Sequence, residues 1–261
     1  MIVAQITDMH VRRRGTVLPH MPHVVGPLRR ALAAIAALRD TPACIVATGD
    51  LMENGHPEEY ERLRDILAEV DVPVYLLPGN HDRRAAMRAV FTHAPYLQGD
   101  DKAILFAIES ERMRVVCLDT SEAPRQGGYL DDRRLRWLDA CLSERPETPT
   151  ILAMHHPPFK TGLFYFDDQP FAGVDLLGGI VRRHPQVRRI ACGHVHQVIQ
   201  SVWNGVLAVS SPSTAPSLVV RPNARGVAFE PGGFLLHRLD DRGAVRSRLV
   251  RTPPDAMALG A

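Results

Sequence analysis

The sequence predicts an α/β fold, a four-layer α/β/β/α sandwich of two mixed, mostly parallel sheets flanked by helices. Three observations predict it. Short apolar runs alternate with longer amphipathic ones through most of the chain, and parallel strands need such helical crossovers between them. After Gln197 the helices stop and short apolar runs follow one another directly. The chain has 261 residues, 45% of them hydrophobic, enough to bury one substantial core. A single domain over 1–251 is expected. The strands of 201–250 should complete the second sheet and the pocket, and 252–261 should form a loose tail.

The elements follow in order. Ile2–Thr7 reads as a buried strand and Pro27–Arg39 as an Ala/Leu-rich helix. Ala43–Ala47 is a second strand. Glu58–Val70 is a helix with Leu63, Ile66, Leu67 and Val70 on one face, and its many charges belong to a solvated face. Val74–Leu77 is a third strand. Asp82 suits the cap of a helix over Arg83–Phe91. Ile104–Ile108 and Arg114–Leu118 read as a hairpin, Asp131–Leu142 as a helix, and Ile151–Met154 as a strand. Pro157–Phe171 reads as a long loop. Val174–Arg183 is helical and Arg189–Cys192 extended. Ser201–Trp203 and Val206–Val209 flank Asn204-Gly205, a strong hairpin signal. Phe234–Arg238 and Val245–Val250 close the series.

Composition removes several function classes. A formal net charge of +2 with 23% charged residues gives no basic footprint for a nucleic acid polymer. No apolar stretch approaches the roughly 20 residues that span a membrane. The first strand runs straight into Asp8 and His10, so a cleaved leader would remove it, and a cytoplasmic location is expected. Cys44, Cys117, Cys141 and Cys192 form no C-x-x-C pair and read as buried free thiols.

Five short segments carry chemistry: Asp8-Met9-His10, Gly49-Asp50, Gly79-Asn80-His81-Asp82, His155-His156 and Gly193-His194-Val195-His196. Each follows a strand at its carboxyl end, the edge where open α/β sheets bind ligands. Mixed oxygen and nitrogen donors without thiolate suit Mn, Fe, Zn or Co. If the backbone is extended, D-x-H and H-x-H put their outer residues on one side and Met9 or Val195 on the other. Gly49, Gly79 and Gly193 each precede a candidate ligand, where glycine permits a tight turn.

The ordered set D-x-H, G-D, G-N-H-D, H-H and G-H-x-H resembles the signature of the calcineurin-like metallophosphoesterases over residues 1–215. Gly55-His56-Pro57-Glu58-Glu59-Tyr60 and Met154-His155-His156-Pro157-Pro158 make the chain similar to their cyclic-nucleotide and glycerophosphodiester phosphodiesterases. The resemblance implies two divalent metal ions. One would take Asp8, His10 and His196, the other Asn80, His155 and His194, with Asp50 between them. It implies that His81 meets substrate and assists the leaving group, and that Asn80 also contacts substrate. A bridging hydroxide would attack phosphorus in line. Two divalent ions, two carboxylates and one hydroxide sum to about one positive charge, which matches a monoanionic diester. Homo-oligomers are common among such relatives, and the aromatic residues Phe159, Phe164, Tyr165 and Phe166 suit either a base or a neighbouring subunit.

Each residue also has a plainer reading. Asp82 is first a cap. Arg12, Arg13 and Arg14 form a solvated basic turn, with Arg12 as a possible phosphate contact. His156 and Asp119 are candidates for support behind the ligands. His20 and His23 are candidates for the substrate entrance. Some relatives carry a further pocket histidine where this chain has Pro212-Ser213-Thr214-Ala215-Pro216. The alternatives to a phosphodiesterase are a phosphomonoesterase or nucleotidase on the same site, and a non-catalytic scaffold of the same fold.

Overall fold

The computed structural model describes residues 1–21, 23–99, 102–220 and 227–252. Thirteen strands and six α-helices are assigned among them. The first sheet combines β1 (Ile2–Ile6), β2 (Cys44–Thr48), β3 (Val74–Leu77), β12 (Gly233–Leu239) and β13 (Val245–Arg251) in the order β13-β12-β1-β2-β3. The second holds β4 (Leu105–Ile108), β5 (Arg114–Leu118), β6 (Thr150–Met154), β7 (Val187–Cys192), β8 (Gln200–Trp203) and β9 (Val206–Ser210) in the order β4-β5-β6-β7-β9-β8. The β1/β2, β2/β3, β5/β6, β6/β7 and β7/β9 pairs are parallel, and β1/β12, β12/β13, β4/β5 and β8/β9 are antiparallel.

Alternation builds the layers. On β5, Val115 and Cys117 face the core shared with the first sheet, while Val116 and Leu118 face the outer helices. On β6, Ile151 and Ala153 face in, Leu152 and Met154 out. Side chains on a strand alternate faces, so each of these strands feeds both cores. Helix α1 (Val25–Ala36) covers the first sheet with Leu28, Ala31, Leu32 and Ile35, and α2 (Pro57–Leu67) does so with Tyr60, Leu63 and Ile66. Helices α4 (Asp132–Glu144) and α6 (Val174–Arg183) cover the second with Leu135, Leu138, Leu142, Leu177 and Val181. Each of the Leu, Ile and Val side chains among these contributes about 1.5–3 kcal/mol on burial.

Three expectations change. The strands β12 and β13 complete the first sheet, not the second, because β2 occupies only one edge of β1 and β12 fills the other. The loop over 157–171 contains one turn of helix, α5 (Phe164–Asp167), whose Asp167 carboxylate accepts from the N–H groups of Thr161 and Gly162 in the preceding loop. A two-stranded ribbon of β10 (Ser217–Val220) and β11 (Val227–Glu230) was not foreseen. The expected tail lies outside the described residues apart from Thr252, which is buried and donates its N–H to Gly232 O. Helix α3 (Arg84–Val90) packs against α2. All four cysteines are free and buried. No helix among the described residues is long and apolar enough to cross a membrane.

Candidate active site

The carboxyl ends of β1, β2, β3, β6 and β7 bring the five segments to one place. Among the described non-glycine residues, left-handed φ values occur at Asp8 (50°), His10 (44°), Asp50 (48°), His194 (73°), His196 (56°) and Asn204 (49°). Asn204 is the turn of the expected β8/β9 hairpin. The other five are all predicted ligands. Such conformations cost on the order of 1–3 kcal/mol each and cluster where geometry serves function. They also correct one expectation. Met9 and Val195 are indeed buried, yet the alternation comes from left-handed residues, not from extended backbone.

The glycines are required by space more than by turn geometry. Of Gly49, Gly79 and Gly193, only Gly49 has a left-handed φ, 99°. A Cβ on Gly49 would lie 2.4 Å from His155 Nδ1, one on Gly79 2.2 Å from Asp50 Oδ1, and one on Gly193 2.1 Å from Thr7 Oγ1.

The candidate ligands form two clusters. In the first, His10 Nε2 lies 3.1 Å from His196 Nε2, and His196 Nε2 lies 3.5 Å from Asp8 Oδ1. In the second, His155 Nε2 lies 3.0 Å from Asn80 Oδ1, with the His194 ring 5.0 Å from that of His155. Asp50 stands between, with Oδ1 3.4 Å from His155 Nε2 and Oδ2 3.8 Å from His10 Nε2. Burial alone would raise the Asp50 pKa, but His155, His10 and His81 hold it well below the usual carboxylate range. Burial likewise opposes charge on His155, which Asp50 nonetheless pushes up to about 9. Convergent nitrogens and carboxylates without an interposed Lys or Arg are a donor set that fits divalent cations.

The groups behind the clusters differ. His10 Nδ1 contacts Glu53 Oε2 at 3.0 Å. His155 Nδ1 donates to Thr48 O at 2.9 Å, and His194 Nε2 contacts Gln169 Oε1 at 3.1 Å. Asn80 Nδ2 donates to Gln126 Oε1 at 2.8 Å. His156 uses both ring nitrogens, one with the Thr120 hydroxyl at 2.8 Å and one with Gln126 O at 3.0 Å. Burial, then the neighbouring His155, lowers its pKa to about 3. It is neutral packing beside the second cluster, its ring 4.7 Å from that of His194.

Three assignments are corrected. Arg12 is not solvated: it is buried, with Nη2 donating to Met21 O, while Arg13 and Arg14 are exposed. It does not line the cavity above the clusters, so it is no phosphate contact. Asp119 spends its oxygens on Arg84, Ile104 N and Ser121, away from the candidate ligands. Asp82 caps nothing. Its carboxylate accepts from Leu51 N, Met52 N and Gly79 N and from the Tyr60 hydroxyl, tying the Asp50 turn to the Asn80 turn. That explains the Glu59-Tyr60 pair, since Glu59 in turn holds Asn54 and His56.

Sequence reasoning missed Glu53, Gln126 and Gln169. Glu53 lies three residues past Asp50, a position the motif left unread; the two glutamines sit in irregular segments that carry no periodic signal. All three line a cavity of about 250 Å³ over the clusters, with His81, Met21, Tyr165 and Phe166. His20 lines it too, as expected, and His23 does not.

Residues 1–198 match the calcineurin-like phosphoesterase family. The chain belongs to that family. As a calcineurin-like phosphoesterase it is a phosphoester hydrolase, of a family that uses divalent metals. It is 32% identical over 241 residues to a probable glycerophosphodiester phosphodiesterase, GpdQ, of Arcobacter nitrofigilis, spanning 91% of this chain and 88% of that protein. It is 29% identical over 252 residues to the 3′,5′-cyclic adenosine monophosphate phosphodiesterase CpdA of Escherichia coli, spanning 92% and 90%. A dimetal phosphatase from Danio rerio superposes with a TM-score of 0.69 at 16% identity, covering 97% of this chain and 99% of that one; at that identity the likeness is one of fold.

Proposed function

We propose that the chain is a dinuclear metal-dependent phosphodiesterase acting on small diesters, cyclic nucleotides or glycerophosphodiesters. The observation that carries this reading is the placement of Asp50, one oxygen toward each of two separate clusters. Asp8, His10 and His196 would hold one divalent ion, Asn80, His155 and His194 the other, and Asp50 would serve both. Ions bound there would supply the Lewis acidity that polarises a phosphoryl oxygen and lets water attack near neutral pH.

The chain's own groups do the rest. His81 N–H donates to Asp50 Oδ1 at 3.0 Å, and its Nδ1 meets Glu53 O at 2.8 Å. That bond makes Nδ1–H the donor to Glu53 O. Burial opposes charge on the ring, but Asp50 and the Glu53 carbonyl raise its pKa, and the protonated ring would turn a second N–H, on Nε2, to the cavity, where it can donate to a phosphate oxygen or give that proton to the departing alkoxide. Asn80 presents its amide to the cavity. Gln126 and Gln169 aim it and His194.

Similarity to a probable glycerophosphodiester phosphodiesterase and to a cyclic adenosine monophosphate phosphodiesterase supports diesters. In the same reading the enzyme works in the cytoplasm, and a second copy covers Phe164 and Tyr165, which are 76% and 63% exposed. Purified protein reconstituted with Mn, Fe, Zn or Co is to be assayed on bis-nitrophenyl phosphate, nitrophenyl phosphate, cyclic nucleotides and glycerophosphodiesters. Two ions per chain and faster diester than monoester cleavage are expected. Faster monoester cleavage would count against the diester reading, and substoichiometric metal with no turnover would favour a scaffold.

A further inference from the structure

Glu53 adds a carboxylate that the signature does not count. It lies within the cavity, 19% of its side chain exposed, with Oε2 on His10 Nδ1 and Oε1 3.9 Å from His81 Nδ1. Oε1 therefore keeps lone pairs for something else. No Lys or Arg among the described residues lines this cavity or the two that adjoin it. The nearby Arg12 interacts with Glu53 by charge, but it is buried, donates to Met21 O and does not line the cavity. The far wall carries the rings of Tyr165 and Phe166, whose faces attract cations.

Three carboxylates (Asp8, Asp50 and Glu53) thus face the charge of any two divalent ions, and no Lys or Arg among the described residues lines the cavity to meet a second anionic group on the substrate. We infer that Glu53 sets a charge filter: the cavity takes phosphodiesters whose alcohol substituent is uncharged or cationic and rejects those bearing a further negative charge. The inference rests on the phosphoesterase reading of this cavity and adds to it the sign of the substituent.

Two phosphonates that cannot be hydrolysed test it, 2-aminoethylphosphonate and 2-carboxyethylphosphonate, each titrated calorimetrically into the metal-loaded protein. The wild type should bind the aminoethyl compound at least about tenfold more tightly, about 1.4 kcal/mol. Glu53→Gln keeps an oxygen for His10 and removes the charge; it should bring the ratio within about threefold. Glu58→Gln, which removes a charge 61% exposed on the surface, should leave the ratio at the wild-type value. The ratio is taken within each protein, so a change in metal loading that weakens both ligands cancels. A wild type that prefers the carboxyethyl compound, or a Glu53→Gln protein with an unchanged ratio, overturns the filter. Because no turnover is needed, failure of the diester assay would sink the proposed reaction and leave this measurement to decide separately.

Discussion

The two clusters share Asp50 and differ in what stands behind them. The cluster of Asp8, His10 and His196 has a carboxylate of its own and a second one, Glu53, on the outer nitrogen of His10. The cluster of Asn80, His155 and His194 has a neutral amide for an oxygen donor, and its histidines lean on a carbonyl and a glutamine. A carboxylate behind a ligating imidazole raises its basicity, and a neutral oxygen does so less. The same residue types can thus make a tighter and a looser position within one cavity, with Asp50 pulling on both.

That comparison can be broken at several points. Removing the shared residue should have the largest effect: Asp50→Ala should lower turnover by about 10³-fold or more and release both ions, read by steady-state kinetics and elemental analysis. Retained activity would defeat the assignment of the whole centre. Next, Gly79→Ala puts a methyl group against Asp50 Oδ1; it should cut turnover by at least about tenfold and weaken both positions, since Asp50 serves both. Glu53→Gln should weaken the first position by about 10–100-fold, the usual range for a partner behind a ligand, while Gln169→Ala touches only the second and should cost less. Competition with a chromogenic chelator reads both; a larger loss in Gln169→Ala would reverse the comparison.

The smallest effect concerns the support common to the two. Gln5 donates to Thr48 Oγ1 at 2.9 Å and to Cys192 O at 2.8 Å, and accepts from His237 at 3.0 Å. Burial, then nearby Arg189, lowers His237 to about 3 from its ordinary 6.5. The unfolded chain therefore binds this proton first. Stability from neutral His237 is full above about pH 6.5 and is lost as pH falls toward about 3. Denaturation midpoints between pH 7.5 and 5 should drop for the wild type and drop less for His237→Asn; identical slopes would exclude His237.

Most strands and helices were legible because their apolar spacing matches one period or the other. Val74–Leu77 and Val174–Arg183 fall where the pattern puts them. The strands β10 and β11 were missed because the ribbon pairs only with itself and joins neither main sheet. The ligand candidates were legible because their identity is chemical and their order fixed. What backs them was not: Glu53, Gln126 and Gln169 act through distance, and nothing in the spacing of a sequence encodes that Gln169 will reach His194. Asp82 was read as a local cap because its partners, Leu51 and Tyr60, are distant in sequence and close only after folding.

The seating of β12 against β1 pairs Ile2 with Arg238 and Gln5 with Leu235. The strand that delivers Asp8 and His10 is thus made long before the strand that encloses it. A nascent chain can close β1 on β2 early, but the outer edge of β1 stays open until β12 has left the ribosome. Contacts so remote along the chain are slow to form. Maturation of the candidate centre is therefore tied to synthesis of β12, and a chain terminated before it would carry Asp8 and His10 on an unsheltered strand.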